Sequence, residues 1–101
     1  MAIVMRMRWD GVTADQYDAA LKEVGWEADP AVGGLFHVAW FEKDGMNVVD
    51  VWERAEDFQR FTDERLLPVV KGKFNLPGEP TVEISDVHRA WDARNRQVVS
   101  G

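Results

Sequence analysis

The only histidines in the chain are His37 and His88, and imidazole is the one side chain whose unperturbed pKa allows proton exchange near neutral pH. Either could act as a general base or orient an oxygen substituent. Asp50 is the carboxylate placed to work with them, so His37, His88 and Asp50 form the candidate catalytic set. Trp52, Phe41 and Trp91 could stack on a flat aromatic ligand, and Arg65 could anchor its carboxylate or phenolate. Each also has a plainer reading. A strand histidine is satisfied by one hydrogen bond, and a buried carboxylate pairs with a cation, here Arg6 or Arg8. Tryptophans fill cores and interfaces. An arginine beside an apolar stripe lays its stem on that surface and bonds late-helix carbonyls. Two histidines and Asp50 lack any metal-ligand spacing, and the chain has no cysteine. No metal site and no cofactor are therefore expected.

These residues are positioned by one stretch, WFEKDGMNVVDVWERAEDFQRFTDERLLP, residues 40–68. Asp44-Gly45 between apolar runs predicts a two-residue type I′ hairpin, in which both central residues need positive φ. Paired residue numbers then sum to 89, so His37 faces Trp52 and Ala39 faces Asp50. Alternation divides the hairpin into two faces. One carries Phe36, Val38, Trp40, Asn47, Val49 and Val51; the other carries His37, Ala39, Phe41, Val48, Asp50 and Trp52. The first, nearly all apolar, is expected beneath helices, and the second, mixed face should carry the pocket or meet a partner.

The rest of the chain completes a β-α-β-β-α-β order. Residues 2–9 alternate as a strand. Thr13 with Gln16 is a capping box, Tyr17, Ala20, Leu21 and Val24 form one helical stripe, and Gly25 suits a left-handed C′ position. A second helix begins near Ala55, with Phe58, Phe61, Thr62, Leu66 and Val69 on one face, and is expected to kink or end at Pro68. Residues 81–91 read as a last strand with a bulge near Ser85-Asp86, whose register decides whether His88 faces the pocket. The domain is thus expected over 1–92, followed by a short polar tail, 93–101, without order. This is an α+β, ferredoxin-like fold with a four-stranded antiparallel sheet, strands 1 and 3 central. Helices can cover only one sheet face, and the other is too apolar for water. A homodimer with its sheets face to face follows.

Composition narrows the partners. A net charge of −6 argues against nucleic acid, which needs a concentrated basic face. No apolar run approaches the roughly 18–20 residues of a membrane helix, and the N-terminal run, broken by Arg6 and Arg8, is no signal peptide. A cytoplasmic protein without membrane contact is expected.

The runs VVDVWERAEDFQRF and ERLLPVV, with GLFHVAW and DVHRAW flanking them, resemble the dimeric α/β-barrel superfamily, in particular its antibiotic-biosynthesis-monooxygenase-like branch. The resemblance spans residues 2 to 92. It implies two ferredoxin-like sheets closing a barrel, in a group that includes cofactor-independent monooxygenases, haem-degrading enzymes and proteins without known activity. Haem-degrading relatives use an Asn, a Trp and a His, yet Asn47, Asn75 and Asn95 all lie off the first strand. The expectation is a small-molecule-binding barrel, acting as a cofactor-independent monooxygenase on an aromatic or polyketide-like phenol. A non-catalytic dimer is the alternative, and haem binding or degradation the third reading.

Overall fold

The computed structural model describes residues 1–100. Strand β1 (Ile3–Asp10) leads into helix α1 (Ala14–Val24), then the hairpin of β2 (Gly34–Glu42) and β3 (Gly45–Trp52), helix α2 (Ala55–Phe61) and β4 (Thr81–Asp86). The sheet order is β2-β3-β1-β4, all neighbours antiparallel, with β1 and β3 central as expected. This is the ferredoxin-like α+β fold. Helix α1 starts where the capping box placed it: Thr13 accepts from the Gln16 amide, and Gln16 accepts in return from the Thr13 amide. Gly25 ends it at φ 73°, its N–H donating to the Leu21 carbonyl.

Pro68 does not end the second helix. Beyond Phe61 the chain continues through wide π-helical turns over Thr62–Leu66 and Pro68–Lys73. The Leu67 amide reaches back to Thr62 and the Phe74 amide to Val69, five residues each. In that wider ladder proline's missing donor and its ring bulk are accommodated, so the apolar face extends to Val70. Asp57 of α2 is buried, paired with Arg54 and pressed against Gly33.

The hairpin turn lies one residue earlier than expected. Lys43 and Asp44 carry the positive φ values, 54° and 57°, and Glu42 pairs with Gly45, so paired numbers sum to 87. Arg8 accounts for the difference. Its guanidinium donates to the carbonyls of Glu42 (2.8 Å) and Lys43 (2.6 Å), and the Gly11 amide donates to Asp44. Gly45 is needed for space rather than for φ: a Cβ there would lie 2.6 Å from the Arg8 guanidinium and 2.9 Å from the Trp9 carbonyl oxygen. The slip changes every pair by two and leaves both face sets intact, because side chains alternate with period two.

The covering of the faces is the reverse of the expected one. Helices α1 and α2 lie on the face of His37, Val48, Asp50 and Trp52, joined there by Ile3, Met5 and Trp9 of β1. Phe36, Val38 and Trp40 stand on the open side, 41–52% exposed, with Val49, Val51 and Val4 beside them. Both faces are apolar enough to bury. What selects the mixed one is that its polar groups find partners there, including one that α1 brings. The last expected strand is also divided. β4 ends at Asp86, and after Val87 and His88 a separate hairpin forms from β5 (Arg89–Asp92) and β6 (Gln97–Ser100). Asp92 closes its turn by accepting from the amides of Arg94 and Asn95, and bonds to Asn95, chiefly through its backbone, hold its pKa below the usual carboxylate value. The expected disordered tail is therefore largely paired; Gly101 lies outside the described residues.

Candidate functional site

Pairing across β2 and β3 sets His37 directly opposite Asp50. The imidazole Nδ1 lies 2.6 Å from Asp50 Oδ1, and Trp52, two residues along the same face, donates its indole N–H to Asp50 Oδ2 at 3.2 Å. From α1 the Tyr17 hydroxyl meets His37 Nε2 at 2.7 Å, its ring parallel to the imidazole. The network assigns the tautomer. Trp52 can only donate, so Asp50 accepts from it; Asp50 accepts again from Nδ1–H, and Tyr17 donates to the remaining lone pair on Nε2. Each polar atom of this Tyr17–His37–Asp50–Trp52 chain is paired inside the protein. Asp50 is 5% exposed, which a carboxylate tolerates when it accepts charge-assisted bonds in this way. Burial, followed by the negative charges of Glu27, Asp50 and Asp18, pushes the Tyr17 phenol above its ordinary pKa and keeps it a donor.

The chain borders a cavity of about 90 Å³ between the helices and the sheet. Its floor is Met5, Met7, Met46 and Val48, and the α1 stripe of Tyr17, Ala20, Leu21 and Val24 forms one wall. Tyr17, His37 and Asp50 are polar side chains in its wall, alongside the indoles of Trp9 and Trp26. Trp26, just after the α1 cap, packs on His37, Trp52 and Phe61, with ring centroids 5.3–5.6 Å apart.

Of the residues singled out in the sequence, His37, Asp50 and Trp52 come together. Phe41 touches the group at second hand, edge-on to Tyr17 at 5.8 Å. The other three lie elsewhere. Arg65 donates to the Val24 carbonyl at the end of α1 and lies 5.5 Å over Phe61, outside the cavity wall. His88 is exposed at the bend between β4 and β5, and Trp91 is 58% exposed on the terminal hairpin. Asp50 takes His37 as partner rather than an arginine, because Arg6 and Arg8 point to the open face, where they meet Glu83 and Asp10. Tyr17 and Trp26 were not foreseen as site residues. The signal for Tyr17 was available: it is the one polar group in the α1 stripe.

The site does not fit haem. His37 Nε2, the lone pair a haem iron would need, is held by Tyr17, and the cavity has far less room than a porphyrin requires. Among the described residues no three His, Asp or Glu side chains gather as metal ligands.

The single chain has the ferredoxin-like fold. No protein-family model matches the sequence, and no curated protein does. Solved structures match by shape. Two crystal structures of SnoaB, a cofactor-independent oxygenase from Streptomyces nogalater, align with TM-scores of 0.65 and 0.55 at 13% and 14% identity. They cover 88% and 83% of this chain and 95% and 87% of theirs. A protein of unknown function from Nitrosomonas europaea aligns at 0.62, with 15% identity over 83% of this chain and 86% of its own. A Chloroflexus aurantiacus protein assigned as an antibiotic biosynthesis monooxygenase gives 0.56 at 15% identity, over 84% and 93%. At these identities the likeness is one of fold. Among the described residues no helix is long and apolar enough to cross a membrane.

Proposed function

We infer that this chain is a small-molecule-binding protein that oxygenates an aromatic or polyketide-like phenol without a cofactor, with His37 as its base. The observation that carries the reading is the Tyr17–His37–Asp50–Trp52 chain on the edge of an apolar cavity. Asp50 holds the Nδ1–H tautomer, which leaves Nε2 as the basic atom and stabilises the imidazolium formed when it takes a proton. A substrate hydroxyl standing where the Tyr17 hydroxyl now stands would lose its proton to Nε2. The resulting anion would itself reduce oxygen in surroundings that exclude water. Fold likeness to a protein named a cofactor-independent oxygenase supports this. The cavity is smaller than a polycyclic phenol, so entry requires Tyr17 and the α1 stripe to give way. Oxygen uptake with a naphthol or an anthrol tests the reading. Uptake above the buffer rate, lost in His37→Ala and kept in His88→Ala, is expected; uptake that survives His37→Ala overturns it.

A second reading, a non-catalytic dimer, is favoured by the closure of that polar chain on itself, which is what a purely structural network would look like. It predicts no uptake by the wild type and a loss of stability alone in His37→Ala. Under either reading the chain is a homodimer, now through the open face of Phe36, Val38, Trp40 and Val49. A permanent dimer of this kind buries more than about 2,000 Å² in total, and analytical ultracentrifugation at micromolar concentration decides it.

A further inference from the structure

We propose that the cavity beneath α1 is a dry binding site for a diatomic apolar molecule, dioxygen in the setting of the oxygenase reading, on which its use rests. Size sets the upper bound. At about 90 Å³ the space falls below the roughly 150 Å³ of an apolar cavity known to take benzene or xenon. It therefore admits two or three heavy atoms, not a ring.

Polarity argues against water as the resident. A buried water needs about two to four polar partners, and the wall offers Tyr17, His37 and Asp50 besides the indoles of Trp26 and of Trp9, the latter donating to the Pro77 carbonyl. Their atoms bond to one another: each Asp50 oxygen accepts one bond, His37 uses both ring nitrogens, and Tyr17 has spent its one proton, so spare acceptor lone pairs remain on Asp50 and Tyr17. Among the described residues the buried side-chain atoms without a partner are Asn47 Nδ2 and Thr62 Oγ1, and neither residue lines the cavity. These groups bond to one another, and the surface lining the space is almost wholly apolar, so a water there would gain little. An apolar molecule loses no hydrogen bonds on entering and gains dispersion contacts with the polarizable sulfurs of Met5, Met7 and Met46. It would lie beside the imidazole where a substrate anion forms.

The chain carries its own reporters. It has four methionines; three line the cavity, and Met1, 72% exposed, is the control. Methyl-labelled methionine in the intact chain should show xenon-dependent shifts at Met5, Met7 and Met46 and none at Met1. Paramagnetic relaxation by dissolved dioxygen should likewise be larger at those three. Ala20→Leu, which places a side chain in the space, should remove both effects. Three cavity methyls that follow Met1 in wild-type protein, or water-to-methyl Overhauser effects at those methyls, overturn the proposal. Its failure and that of the oxygenase reading are distinguishable: gas effects without oxygen uptake leave the cavity and remove the reading, and uptake without gas effects does the reverse.

Discussion

The two faces of the sheet solve the same problem in opposite ways. The covered face holds the polar residues, His37 and Asp50, and yet is the drier of the two, with Trp52 fully buried. The open face is mostly Val, Phe and Trp at its centre, and Phe36 is 52% exposed. Apolar content alone therefore does not select the face that helices cover. A polar group enters a core when the fold gives it a partner, and Tyr17 from α1 and Trp52 from β3 complete the set for His37 and Asp50. The open face pairs its charges on the surface: Arg6, on central β1 opposite Val49, meets Glu83, and Arg8 meets Asp10. Its uncovered centre is the surface proposed above as the dimer interface.

The contrast is broken most sharply at Asp50. Asp50→Ala leaves the His37 Nδ1–H and the Trp52 Nε1–H buried without an acceptor, and should cost about 3–5 kcal/mol in urea unfolding. Replacing His37 and Asp50 together by Leu should recover part of that loss, since apolar side chains refill the space and the donors then left over are those of Tyr17 and Trp52. If Asp50→Ala were neutral, the covered face would not depend on its internal pairing.

On the other face the expected effect is on assembly. Val49→Lys sets a second positive charge opposite Arg6 at the centre of the open surface, and should weaken the proposed dimer by about 100-fold, close to 2.7 kcal/mol. The monomer's thermal midpoint should change little, because Val49 is only half-buried in the single chain. A smaller change at the same concentration in sedimentation equilibrium would assign the dimer to another surface.

The least effect belongs to Gly45, whose added Cβ would stand on the open side against Arg8. Gly45→Val should cost about 1–3 kcal/mol by crowding the guanidinium that holds the turn carbonyls. Unlike a turn glycine, it should be partly rescued by Arg8→Ala, which opens the space. Thermal melts of the two single variants and the double variant measure this, and strict additivity would remove Arg8 from the explanation.

Much of the architecture was legible. Period two marked β1, β2 and β3, period 3.6 marked α1 and α2, and Thr13, Gln16 and Gly25 bounded α1 through local hydrogen bonds. The gathering of His37, Asp50 and Trp52 was legible too, because alternation puts them on one side in either hairpin register. Tyr17 and Trp26 were not assigned to the site because they approach it from another element. Helix periodicity says which residues share a stripe and nothing about what that stripe meets.

The sequence by itself determined the element order, the central places of β1 and β3, and the membership of each sheet face. These follow from short-range periodicity and from the few ways a βαββαβ chain can pair. Tertiary structure decided what depends on distant partners. Arg8, reaching from β1, settled the turn at Lys43-Asp44. Wide helical turns carried the chain past Pro68, and pairing with β6 split β5 from β4. Above all, the mixed face was chosen for the core because Tyr17 and Trp52 could satisfy His37 and Asp50 there. A pattern of apolar residues measures how much a face gains by burial, but whether its polar groups can follow depends on what lies across from them.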